Sequence, residues 1–464
     1  MQRPVIVLEF NELCPDLMDR FIAEGRLPGF KALRDSSAAY VTDAGEEPPN
    51  LEPWIQWITV HTGLSFAQHR VFDLGDAHKL EAPRIWDRVA AAGGRVWICG
   101  SMNATIQEPS ARTHFIPDPW SSEVRPLPSG EYDLFCDLAW KYVQEHGRAA
   151  APWRKSDYLS FLIFMLRHGL SPRTVLTAAL QIARDRRNAE LRTRRAIVLD
   201  RLQWDLFRHT WKKTRPQFST FFLNSTAHFQ HYHWRDMEPE RFANKPSPAN
   251  HHAKDTILAG YRAMDSIVSE CMTLAPEAAI VLITALSQQP LLRYEGVGGK
   301  CIFKPVDPAE LMRFAGVSGV YKYAPVMAEE FHLYFENELD AARAEQALRV
   351  LSVGGKPLMR VRRCGNEIFS GCDVISALDA EERVHSPLRN STAPFGELFY
   401  QADGAKSGCH HPDGILWIRT PDAPPKRAAE KLPLTEASRL LADLAGVELP
   451  RGADRRAAVA EAAY

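Results

Sequence analysis

The sequence predicts an α/β fold with a mainly parallel sheet flanked by helices, interrupted by a helical insertion and by a small α+β insertion. Three observations predict it. The first hundred residues alternate short apolar runs with amphipathic helical patterns, as βαβ units do. Glycines end several of these segments, where the chain must turn. The same alternation returns after residue 215 and again near residue 400, so the stretches between read as insertions into one core.

Taken in order, residues 5–10 form the first core strand and residues 16–24 a helix that turns Leu17, Phe21 and Ile22 inward, with Gly25 as its C-cap. A helix over 54–61 starts just after Pro53, an amphipathic helix covers 84–92, and a second strand over 95–99 ends at Gly100. From about 132 to 215 the texture is long helical periodicity dense in arginine, including 182–207. Its run Arg184-Asp185-Arg186-Arg187 reads as a solvated helix face, because acids are interleaved and no aromatic platform accompanies it. The core pattern resumes with a strand at 218–224, a helix at 253–274 carrying Ile257, Tyr261, Met264 and Ile267, and a strand at 279–284. Segments 331–335, 341–351 and 358–361 suggest a strand-helix-strand module. A core strand at 414–418, a closing helix at 434–445 and a fraying charged tail complete the chain. The expected division is therefore core at 1–130, 216–290 and 400–450, insertions at 131–215 and 291–399, and a flexible tail at 451–464.

Composition narrows the partners. With 45% apolar and 24% charged residues in 464, the chain can bury a substantial core. Its 56 basic and 57 acidic residues leave a net charge of -1, so no global field attracts nucleic acid or an anionic membrane. A charged ligand must be caught locally. The apolar residues 5–8 are too few for a signal segment, and the stretch 158–166, ended by Arg167 and His168, falls short of the roughly 20 residues that span a bilayer. No membrane span is expected, and an interfacial helix stays open. Eight scattered cysteines without a CxxC pair fit reduced thiols in a cytoplasm. Oligomeric state is not legible.

Polar residues recur at the expected strand ends. The first strand runs through Glu9 into Asn11-Glu12-Leu13, and a Gly25-Arg26-Leu27-Pro28 turn follows. Next come Pro49-Asn50-Leu51-Glu52-Pro53-Trp54, then Thr62-Gly63-Leu64 and His69. Beyond residue 224 stand Ala227-His228-Phe229-Gln230-His231-Tyr232-His233-Trp234, then Leu286-Ser287-Gln288-Gln289, then His410-His411-Pro412-Asp413-Gly414. A closing helix with Gly446 to Pro450 ends the series. In this order the segments resemble the alkaline-phosphatase superfamily, nearest its type I phosphodiesterase/nucleotide pyrophosphatase branch. The two insertions are not covered.

The resemblance implies an alkaline-phosphatase-like core and, in the family, two divalent metals about 4 Å apart that clamp both oxygens of an in-line displacement at phosphorus. Three carboxylates and three histidines hold them. On this chain the first-strand Asp falls on Asn11, the nucleophile on Leu51, a further Asp on Ala227, and an Asp-His pair on Leu286 and Ser287. Only His231 and His410 match. The expectation is therefore a degenerate centre holding one divalent metal, zinc or manganese, or none, and no two-metal centre. His231 and His410 are expected to face each other as ligands or acid-base groups, with Asn11 and Glu52 orienting substrate or moving protons. His228 and Glu12 are the candidates for a third ligand, and a register slip would bring Glu9 to the cleft. The remaining histidines, His233, His251, His252 and His411, read as surface or hydrogen-bonded groups. Two functions stay open: an enzyme acting on a phosphate-bearing or other anionic small molecule, and a catalytically inactive relative that binds a ligand or a protein.

Overall fold

The computed structural model describes residues 3–121, 124–144, 154–245, 253–326 and 329–449. The tail expected at 451–464, and His251 and His252, lie outside these. Elements are numbered in chain order. The strands are β1 (Val5–Phe10), β2 (Ala38–Asp43), β3 (Val96–Cys99), β4 (Thr113–Ile116), β5 (Phe218–Leu223), β6 (Ala279–Ile283) and β7 (Ser287–Pro290). The helices are α1 (Pro15–Ala23), α2 (Pro28–Asp35), α3 (Pro53–Thr62), α4 (Phe66–His69), α5 (Ile85–Ala91), α6 (Asp133–Gln144), α7 (Lys155–Arg167), α8 (Pro172–Arg187), α9 (Arg195–Thr214), α10 (Ser225–Met237) and α11 (Thr256–Leu274).

Among the described residues the central sheet has nine strands. β1 lies between β5 and β6 and is parallel to both. Beyond β5, β3 and β4 continue the parallel order. On the other side Asp413–Arg419 runs antiparallel to both β6 and β2. All six residues of β1 are buried, because strands cover both its edges and helices both its faces. Ile6, Leu8 and Phe10 point to one side, where Phe21, Phe30, Trp204, Phe207 and Tyr261 close the core. Val5 and Val7 point to the other, against Trp57, Val60, Trp86 and the Leu434–Ala445 helix. The period of two along each strand thus sorts the apolar residues into two cores.

Three expectations change. The long helix over 182–207 is two helices, because the Asn188 side chain accepts the Glu190 N–H and diverts the chain into the 3-10 turn Ala189–Arg194. Within the basic run, Arg184, Arg186 and Arg187 are exposed, but Asp185 points inward to Arg195 and Gln181. The module over 331–361 is larger than strand-helix-strand. Tyr321–Pro325, Glu330–Phe335, Glu367–Cys372 and Met359–Cys364 form one antiparallel sheet, and a second pairs Ser352–Val353 with Arg383–Ser386. All eight cysteines are free thiols. Among the described residues no helix is long and apolar enough to cross a membrane.

His69 ends α4 inside this packing. Its Nδ1 accepts the Val71 N–H at 3.1 Å, so a second ring proton would have to displace that bond. Burial pushes its pKa down to about 4. A histidine held low in the folded state binds fewer protons than when unfolded, so its stabilising contribution is present above about pH 6.5 and is lost as pH falls toward 4. That loss amounts to at most roughly 3 kcal/mol. Urea unfolding across this range is expected to show His69→Gln losing less stability on acidification than wild type; parallel pH profiles would contradict the assignment.

Candidate metal centre and its cavity

The site forms beyond the carboxyl ends of β1, β5 and β6, where open α/β sheets place their ligands. Past β1 the Asn11 N–H still bonds the Leu223 carbonyl at 2.9 Å, and Glu12 then turns into the left-handed region with φ 59. That backbone costs a non-glycine residue on the order of 1 kcal/mol, so other groups must hold it. They do. Asn11 Nδ2 donates to Glu12 Oε1 at 2.7 Å, Gln288 Nε2 donates to Glu12 Oε2 at 2.5 Å, and Gln230 Nε2 donates to the Glu12 carbonyl at 2.7 Å. Asn11 is itself fixed, since Trp57 Nε1 donates to its Oδ1 at 2.8 Å and its Nδ2 also reaches Asn224 Oδ1 at 2.7 Å.

Two imidazoles meet this carboxylate. His231 projects from α10, and His410 from the strand Gly408–His411, which pairs antiparallel with β7. Their ring centroids are 5.3 Å apart. His231 Nδ1 lies 3.1 Å from the Gly408 carbonyl, and His410 Nδ1 lies 2.9 Å from the Leu51 carbonyl. A carbonyl only accepts, so both Nδ1 atoms carry the proton and both Nε2 atoms keep a lone pair. Those lone pairs stand 3.4 Å and 3.5 Å from Glu12 Oε2.

Three electron-pair donors therefore converge without a proton between them. Burial holds His231 well below the ordinary histidine range, with Lys406 adding to the effect, and pushes His410 down to about 4 against the opposing pull of Glu12. Both rings are neutral near pH 7, the form that binds metal. A tetrahedral ion with bonds of about 2.1 Å spaces its ligand atoms about 3.4 Å apart. The donor set fits a borderline cation such as Zn²⁺, and each ring has the backbone anchor on its far nitrogen that metal-binding histidines use.

The positions expected of a second ion look different. Leu51 and Leu286 are buried apolar side chains, and the Asn11 amide is committed to Glu12, Asn224 and Trp57. Asn11 does not line the cavity above the site, so its observed contact is with Glu12. Glu9 lies in the core, bonded to His61 at 2.9 Å and Ser101 at 2.6 Å. His228 stands 3.8 Å from Asp403, apart from the three donors. His233 pairs with Asp236 at 2.8 Å, and His411 Nδ1 accepts the Asp413 N–H at 3.2 Å. Asp73, His332 and Glu367 form another convergent group. There, however, Arg362 already reaches Asp73 at 3.2 Å and His332 bonds Glu367 at 2.6 Å, so the group ties the small insertion to the core.

Above the donors lies a cavity of about 530 Å³, walled by both insertions through residues such as Trp140, Leu199, Ile302 and Glu330. Lys300, Lys304 and Lys406 line it, groups the sequence reading did not single out. Glu52 also lines it, with Oε2 3.5 Å from His410 Nδ1. Its side chain keeps 29% of its surface, but that surface opens on a crowded cavity, and desolvation pushes the carboxyl up to about 8. Burial and the neighbouring Glu329 push Glu330 up to about 7, while burial at Glu329 is outweighed by Lys300, Lys406, a backbone hydrogen bond and Arg360 together, which hold it low.

No family model and no curated protein sequence matches this chain. Among solved structures it is similar to phosphonoacetate hydrolase from Sinorhizobium meliloti 1021 in complex with phosphonoformate, at 13% identity over 96% of each chain, with a TM-score of 0.43. It is likewise similar to murine ectonucleotide pyrophosphatase/phosphodiesterase 5, at 10% identity over 99% of each chain, with a TM-score of 0.43.

Metal analysis and calorimetry are expected to find one equivalent of Zn²⁺ or Mn²⁺ at this cavity, with affinity lowered at least about tenfold by His231→Ala, His410→Ala or Glu12→Gln. Two equivalents here would overturn the assignment. Gly408→Ala is expected to weaken the same binding about 10- to 100-fold. A Cβ there would lie 2.4 Å from the Gln230 carbonyl oxygen and 2.7 Å from Gln288 Oε1, prising the His410 strand off α10.

Proposed function

We propose that this chain is a phosphodiesterase-like member of the alkaline-phosphatase superfamily with a rebuilt centre, hydrolysing a phosphate-bearing or other anionic small molecule with one divalent metal held by Glu12, His231 and His410. The observation that carries the proposal is the convergence of a carboxylate oxygen and two imidazole lone pairs at 3.4 Å and 3.5 Å beneath a lysine-lined cavity. A bound divalent ion supplies Lewis-acid stabilisation of charge developing on a substrate oxygen. The protein supplies the rest. Lys300, Lys304 and Lys406 offer cationic donors to the anionic group of the substrate.

Leu51 stands where the family resemblance puts a hydroxyl nucleophile and has none to offer, so water is the attacking group. Hydrolysis then adds the water oxygen to the phosphoryl or acyl centre while its proton ends on the leaving group. Glu52 is the carboxyl on the cavity wall placed to carry that proton, and His410 beside it is fixed by the Leu51 carbonyl. Asn11 positions Glu12 rather than substrate.

Leu51 also favours a second reading, a catalytically silent protein that binds an anion in the same cavity. Turnover separates the two. On the first reading, metal-loaded protein hydrolyses a member of a panel of small phosphate, phosphonate and carboxylate esters. Glu52→Gln then lowers kcat about 10²-fold or more, and Lys406→Ala acts mainly on KM. Bis-aryl phosphates are expected to be turned over negligibly. Robust turnover of such a diester that requires two equivalents of bound metal would refute the residue correspondence. Saturable anion binding without turnover of any panel member would select the silent protein.

A further inference from the structure

Helices α7 and α8 of the helical insertion put their apolar residues on the wrong side for a water-exposed helix. In α7, Leu159, Leu162, Ile163 and Leu166 are each 42–63% exposed, while Phe164 and Met165 pack into the core from the opposite side. At 3.6 residues per turn the four exposed positions fall within an arc of about 100°. The inversion is sharper in α8. Val175, Leu176, Leu180 and Ile182 are 47–59% exposed, whereas the buried residues are the polar Thr174, Gln181 and Asp185. Those polar groups are satisfied inside: Gln181 Nε2 donates to Asp185 and to the Leu191 carbonyl, both at 2.7 Å, and Arg195 Nε donates to Asp185 at 2.6 Å.

Charge selects what covers these faces. Residues 154–195 hold ten basic and three acidic residues, a net +7 within a chain whose total is -1. Arg167, Arg173, Arg184, Arg186 and Arg187 are exposed beside the apolar positions. A second copy meeting this surface about a two-fold axis would set one basic face against another. Apolar arcs bordered by arginine suit instead the boundary of an anionic bilayer, where acyl chains receive the leucines and lipid phosphates receive the guanidinium groups. Among the described residues no helix can span a membrane, so the contact is peripheral.

We infer that α7 and α8 form a docking surface for an anionic phospholipid membrane. The test is flotation of the full chain with vesicles of phosphatidylcholine, alone or with about one third phosphatidylglycerol, at low and high salt. The expected result is partitioning at least about tenfold stronger onto the anionic vesicles and falling steeply with salt. Leu162→Glu with Leu176→Glu should abolish it, and Arg186→Glu with Arg187→Glu should weaken it. Circular dichroism should show both variants folded, since all four side chains are exposed in wild type. Three outcomes would overturn the inference: no binding of folded wild type to anionic vesicles at low salt, binding that ignores lipid charge or these substitutions, or a sedimentation-velocity dimer that the leucine substitutions dissociate.

Discussion

Two peptide carbonyls, those of Leu51 and Gly408, settle the protonation of the centre by taking the Nδ1–H of His410 and of His231. Without them either ring could turn a proton toward Glu12 and close the cluster as an ordinary buried hydrogen-bonded triad. With them, both Nε2 lone pairs face a carboxylate oxygen, an arrangement that is repulsive until a cation enters. Much of the surrounding structure serves that orientation. Trp57 holds Asn11, Asn11 and Gln288 hold Glu12, and Tyr261 donates to Gln230, which in turn fixes the Glu12 carbonyl. Leu51, whose side chain is buried and apolar, serves the centre through its backbone alone.

Sequence reasoning located the core well because the core strands are buried on both faces. Val5-Ile6-Val7-Leu8 and Ala279-Ile280-Val281-Leu282-Ile283 are apolar whichever way a side chain points, so no choice of register can hide them. The β7 ribbon was illegible for the opposite reason. Ser287-Gln288-Gln289-Pro290 and Gly408-Cys409-His410-His411 have no alternating apolar residues, and their pairing joins distant parts of the chain. Glu12 was legible only as one of two candidates for a third ligand, because its left-handed backbone breaks the alternation that would predict where its side chain points. The inverted face of α8 could not be read from the sequence either, since spacing alone cannot say which side of a helix is inside.

Both insertions wall the cavity, so the core alone does not define what can enter it. The small insertion brings Lys300, Lys304 and Glu330 to it, and charged side chains tie it to the core in one place. His332 and Glu367 from its sheet meet Asp73 of the core, with Arg362 closing the charge balance. Lys300 and Lys304 of this segment line the same cavity as Glu12 and the two histidines.

The pairing of His410 with a carbonyl 359 residues earlier has a consequence for biosynthesis. Segments leave the ribosome in order and domains begin to organise from the N-terminal side. Glu12, Leu51 and His231 are all present long before the Gly408–His411 strand appears. Until then the carboxylate lacks one of its imidazoles, and His231 lacks the Gly408 carbonyl that orients it. A cation therefore cannot act as a template for the early core, and a prematurely terminated chain reaches the cell without a complete donor set. The complete donor set therefore marks a chain whose Gly408–His411 strand has been made and has docked on β7.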